Sequence, residues 1–87
     1  TTGDNNTAVG FEALKTVTTA SDNTAVGLSA LKLNTSGLQN TAVGGGVMAA
    51  NTSGARNTAV GYQSLDANTE GDDNTSFGRR SLSNWFR

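Results

Sequence analysis

The chain has 87 residues, 34% of them hydrophobic, and carries 6 Lys and Arg against 7 Asp and Glu for a formal charge of -1. It contains no cysteine and no histidine, which excludes disulfide staples and thiolate metal sites and removes the commonest general base and metal ligand. The near-neutral charge gives no basic footprint for nucleic acid, and no apolar run approaches the roughly 20 residues that span a membrane.

In chain order, Thr1-Thr2-Gly3-Asp4-Asn5 reads as the tail of a repeat whose start lies upstream, so the chain is expected to be a piece of a longer fibrous protein. Asn-Thr-Ala-Val-Gly then occurs at Asn6–Gly10, Asn23–Gly27, Asn40–Gly44 and Asn57–Gly61, and returns as Asn74-Thr75-Ser76-Phe77-Gly78. The starts fall 17 residues apart, without insertion or deletion. Disordered low-complexity sequence keeps no such register. A fixed period of this kind means that each unit is one turn of a stack, and 17 residues are too few for the helix pairs of roughly 34 or more.

Within each unit Thr-Ala-Val-Gly reads as a strand of about four residues, since Thr and Val favour strands and Gly closes it. The next block uses helix formers, as in Glu12-Ala13-Leu14-Lys15 and Ser29-Ala30-Leu31-Lys32. It is expected to form one helical turn, with an extended strand as the competing reading. Asn34, Asn51 and Asn68 would end that turn in the left-handed conformation. The Thr-x-Gly that follows bends the chain into the next coil.

The expected fold is therefore mainly β with short helical turns: a β-roll-like solenoid of five coils over residues 1–82. Residues 83–87 would be a C-terminal cap or the start of a next domain.

Stacking turns equivalent positions into columns. The asparagines that open each unit would hydrogen-bond along the axis. Val9, Val26, Val43, Val60 and Phe77 form one apolar column, and Leu14, Leu31, Met48, Leu65 and Leu82 a second. Two columns are a thin core for a chain of this length, so association is expected, as an intertwined or side-by-side homotrimer that covers one column of each chain.

These units resemble the Asn-Thr-Ala-Val-Gly-Tyr-Gln-Ala-Leu-type repeats of phage tail fibres and bacterial fibrous adhesins, many of which carry a C-terminal endosialidase-type intramolecular chaperone. They are similar, more distantly, to the shorter repeats of trimeric autotransporter adhesin heads, which form left-handed β-rolls. The resemblance runs from Thr1 to about Leu82 and is closest at Asn57-Thr58-Ala59-Val60-Gly61-Tyr62-Gln63-Ser64-Leu65. It implies a trimeric fibre, extracellular on a cell surface or virion, that touches a host, prey or substratum. A cell-surface glycan or protein receptor would be its partner, and neither a cofactor nor a catalytic residue is implied.

Departures from the repeat mark candidate sites. Phe11 and Tyr62 share one variable position and are lateral contacts, either between chains or to a sugar. Gly44-Gly45-Gly46 reads as a widened groove or as neutral variation. Arg79, Arg80, Trp85 and Phe86 replace small residues and read as a cap or as a ligand-binding tip. Asp72-Asp73 reads as a solvated turn rather than a calcium site. The Asn-Thr-Ser triplets follow from the repeat and are discounted as glycosylation acceptors. Two other functions compete with the fibre: ice binding through the threonine ladders, and glycan hydrolysis by Glu12, Asp66 or Glu70, each of which occurs in only one unit.

Overall fold

The computed structural model describes residues 5–16 and 19–81. Five strands, β1 (Thr7–Val9), β2 (Thr24–Val26), β3 (Thr41–Val43), β4 (Thr58–Val60) and β5 (Thr75–Phe77), form one parallel sheet in chain order. The register never slips: Thr7 pairs with Thr24, Thr24 with Thr41, Thr41 with Thr58, and Thr58 with Thr75. Each strand is followed by a return path that brings the chain back one level along the axis, so the molecule is a β-solenoid.

A three-residue strand sends its middle side chain to one side and the outer two to the other. Here the middle residue faces in, and Ala25, Ala42 and Ala59 are fully buried. The facing wall comes from the Ala-Leu block, where Leu14, Leu31, Met48 and Leu65 are buried as expected. Each such Leu or Met contributes about 1.5–3 kcal/mol. Leu82 lies outside the described residues. The valine column lies outside the coil's own core: Val9 is 57% exposed and Phe77 63% exposed. An interior already holding the leucine column has room for a methyl from the strand and not for a branched side chain.

The Ala-Leu block is neither a helical turn nor a strand, and no helix occurs among the described residues. Its amides alternate between two directions. Ala13 N–H donates to Gly10 O (3.2 Å) and Lys15 N–H to Glu12 O (3.3 Å), closing overlapping reverse turns, whereas Leu14 N–H donates to Ala30 O of the next circuit (3.0 Å). Stacking thus takes the amides that an isolated helix would direct to its own chain. The alternation requires left-handed backbone at Glu12 (φ 61°) and Leu14 (φ 51°), and again at Ser29, Leu31, Met48, Gln63 and Leu65. The third residue of a type II turn has this sign of φ. The left-handed positions expected at Asn34, Asn51 and Asn68 are instead earlier, at Leu31, Met48 and Leu65 and at Ser29, Gly46 and Gln63.

Those asparagines do something else. Asn34 and Asn51 are fully buried, and Asn51 Nδ2 donates to Asn34 Oδ1 (2.7 Å) and to Gly54 O (3.1 Å). The unit-opening asparagines form a second ladder: Asn40 N–H donates to Asn23 Oδ1 (2.9 Å), Asn57 N–H to Asn40 Oδ1 (3.0 Å) and Asn74 N–H to Asn57 Oδ1 (2.9 Å). The two ladders meet on shared carbonyls, since Gly54 O accepts from both Asn40 Nδ2 (2.8 Å) and Asn51 Nδ2 (3.1 Å). No buried side-chain nitrogen or oxygen among the described residues lacks a partner. Glycine at this corner is a matter of space: a Cβ on Gly37 would strike Asn34 Oδ1 and the Gly54 carbonyl.

Two predictions follow the direction of the unit-opening ladder. Asn40→Ala leaves the buried Asn57 N–H without its acceptor and is expected to lose about 2 kcal/mol, read as a shift in a urea unfolding curve. Asn74→Ala orphans no described group and should lose well under half of that; equal losses would show that the ladder is not what holds the circuits. Gly27→Ala, at φ 130° with a Cβ aimed into the Gly44 carbonyl, is expected to lose about 2 kcal/mol or more by the same measurement.

Candidate functional site

With the backbone committed to the coil, chemistry falls to the outward side chains. The sheet face presents Thr and Val from the first four strands, where they bracket the inward alanine, and Thr75 and Phe77 around Ser76 in the fifth. Beside the valines, just past the glycine that ends each strand, runs a further column of Phe11, Leu28, Gly45, Tyr62 and Arg79, all exposed except the half-buried Gly45. Phe11 is 71% exposed and Tyr62 51% exposed. Tyr62 lies against the gap left by Gly45, its Cδ1 3.2 Å from where a Cβ would stand. The Arg79 guanidinium sits 5.9 Å from the centroid of the same ring, within cation–π range. The structure therefore joins the expected lateral residues and Arg79 in one apolar stripe flanking the valine column. Arg80 is exposed, with its amide donated to Tyr62 O (2.6 Å). Trp85 and Phe86 lie outside the described residues.

The return path carries a different surface. In the first circuit Glu12 Oε2 accepts from Lys15 Nζ (3.0 Å), and Glu12 Oε1 lies 3.1 Å from Lys32 Nζ of the second. Hydrogen bonds from Lys15 and then Lys32 hold the Glu12 carboxyl below its ordinary value of 4.5. A carboxyl stabilised as its anion suits an ion pair and opposes proton donation at neutral pH. In the third circuit the same register positions are Gly46 and Ala49, followed by Ala50. The surface sinks there into an open notch of about 310 Å³. Lys32 and Leu33 form one wall, and Gln63 and Asp66 the other. The sequence singles out Gly44 to Gly46 as a widened groove, but only Gly46 of those three lines it. Ala49 and Ala50 escape notice because alanine is unremarkable until the columns are stacked.

Asp72 and Asp73 are structural in their contacts. Asp73 Oδ1 accepts from Arg56 Nε (2.7 Å), a bond that holds its carboxyl below the ordinary 3.8, and Asp72 Oδ1 accepts from Ala55 N–H (2.8 Å). No group of three or more metal-binding side chains occurs among the described residues. Glu70 is exposed, apart from the notch that Asp66 borders. Ser64 and Ser76 are buried against each other (Oγ to Oγ 2.6 Å). Asn34 and Asn51, which open two of the Asn-Thr-Ser triplets, are sealed in their ladder. Comparison with protein-family models, with curated proteins and with solved structures returns no match.

The two surface carboxylates set an acid dependence. Their folded-state pKa values are lowered, so the stability they add is complete above about pH 4.5 and is lost as the pH falls through those lower values. Melting temperatures of the wild type and of Glu12→Gln/Asp73→Asn should differ modestly at pH 7, converge at pH 2, and converge also in 1 M salt at about neutral pH. Curves parallel across the whole range would remove both ion pairs from the account.

Proposed function

We propose that this chain is a non-enzymatic shaft segment of a trimeric fibre, displayed on a cell surface or virion, that recognises a host or prey cell through surface glycans. The observation that carries the reading is the outward apolar stripe of Val9, Val26, Val43, Val60 and Phe77 beside Phe11, Leu28 and Tyr62. A contiguous apolar surface of this sort marks an association face. A second copy is the occupant whose own stripe repeats at the same spacing as this one, so copies align level by level. Each chain's strands pair with their own neighbours, which supports three closed coils side by side rather than an intertwined set. Repeat units resembling those of tail fibres and fibrous adhesins point the same way. The reading places Arg79 and Arg80, with Trp85 and Phe86, towards a ligand-binding tip, and invokes neither cofactor, nucleic acid nor membrane insertion.

A second reading rests on the same face. Thr and Val project together from each of the first four strands at a regular spacing of roughly 4.8 Å between strands, an array of hydroxyls and methyls of the sort an ice lattice would meet. The two uses exclude each other, because a face packed against another chain is not open to ice.

Solution mass by light scattering after size exclusion decides between them. The fibre reading expects three times the chain mass, and a single chain mass for Val26→Lys/Val43→Lys, whose circular dichroism should be unchanged since both side chains lie outside the core. A folded wild-type monomer overturns the trimer, and thermal hysteresis in that monomer would establish the ice-binding alternative.

A further inference from the structure

The notch in the third circuit is built by substitution at outward positions alone. The first circuit covers the corresponding surface with the Glu12–Lys15 pair and its reach to Lys32. The third leaves it bare with Gly46 and Ala49, while the buried partners Val47 and Met48 keep the core filled. Gly46 even keeps the left-handed backbone of its equivalents, at φ 68° against 61° for Glu12. Only the covering has gone.

The chemistry of the floor restricts what can enter. Gly46 N–H donates to Leu28 O (2.7 Å), Ala49 N–H to Gly46 O (3.3 Å) and Gln63 N–H to Gly45 O (2.8 Å). With those three amides engaged, the floor is mostly methyl and methylene and gives an extended peptide little edge onto which to add as a strand. The walls stand two circuits apart, roughly 9.6 Å between backbones at strand spacing, and side chains narrow the gap further. A helix of about 10–12 Å diameter is too wide. The volume of about 310 Å³ lies at the small end of ligand pockets, about 300–1,000 Å³.

Polar recognition comes from one side. Asp66 has no ion-pair partner among the described residues, so its carboxylate is available to accept strong hydrogen bonds from hydroxyls. It also repels anions. Opposite it, the Lys32 ammonium is drawn towards Glu12 (3.1 Å), which leaves the lysine stem and Leu33 as an apolar wall. A flat ring fits these demands if one face is carbon and hydrogen and its rim carries hydroxyls without negative charge.

We propose that the notch floored by Gly46, Ala49 and Ala50 and edged by Asp66 is a lateral binding site for one neutral pyranose unit of a glycan chain. The inference rests on the glycan-recognition part of the reading above and not on the trimer, because the notch opens on the return path and leaves the valine stripe untouched.

The test uses amide NMR spectra of this chain, titrated with the methyl pyranosides of glucose, galactose, mannose and N-acetylglucosamine. Saturable shifts centred on Gly46, Ala49 and Ala50 are expected with at least one of them. Gly46→Glu/Ala49→Lys rebuilds the covering of the first circuit from residues the coil already tolerates, and should weaken that binding at least tenfold with little change in melting temperature. Asp66→Asn should weaken it several-fold. Saturable binding that persists in the filled variant places glycan recognition elsewhere on the rod: the notch is then overturned and the fibre reading stands. No saturation by any of the four overturns the notch and leaves glycan recognition itself unsupported.

Discussion

Each glycine carbonyl at the corner of this coil receives two asparagine side chains, one from each ladder. Gly37 O takes Asn23 and Asn34, Gly54 O takes Asn40 and Asn51, and Gly71 O takes Asn57 and Asn68. A circuit of 17 residues must turn sharply and bury backbone polar groups at the turn, and each of these needs a partner. Paired amides solve this because each has a donor for the glycine carbonyl that follows it and an acceptor for the asparagine of the next circuit. The solution works only if consecutive circuits are in register, and the rest of the architecture follows from that condition: short strands, identical pairings and no insertions. Here the polar groups align the stack, and the apolar groups fill what space remains.

What was legible in the sequence was whatever repetition alone determines. The period, five stacked units, a strand at Thr-Ala-Val and an asparagine column all follow from recurrence at fixed spacing, as does the leucine column that proves to be buried. The orientation of the strand was not legible, because Thr-Ala-Val alternates polar, small and branched residues, and either face could be the inner one by hydrophobicity. Size decides it, and size is known only once Leu31 and Met48 are in place across the interior. The Ala-Leu block misleads for a different reason. Its residues favour helix, but local propensity of a few tenths of a kcal/mol per residue yields to hydrogen bonds between circuits that single-chain periodicity does not reveal.

The candidate sites divide along the same line. Phe11 and Tyr62 stand out in the sequence as large residues at a variable position, and they do face outward. Gly44-Gly45-Gly46 stands out as an unusual run, yet its three members do three different things. Gly44 holds a positive φ beside the next circuit, Gly45 makes room for the Tyr62 ring, and Gly46 floors the notch. Ser64 and Ser76 look like neutral drift from alanine. Stacking brings them together, and the change at one is answered by the change at the other through a buried hydrogen bond.

The asparagine ladder has a direction and no natural end. The upper surface of any circuit offers the same acceptor and carbonyl that its lower surface was built to use, so one circuit is as good a foundation as the next. Duplicating or deleting a whole unit in the gene leaves the asparagine bonds at each junction of the kind that already joins the interior circuits. Length is then a quantity that selection adjusts by copy number, without redesigning the ladder, and the reach of the rod evolves separately from whatever individual circuits carry on their outer faces.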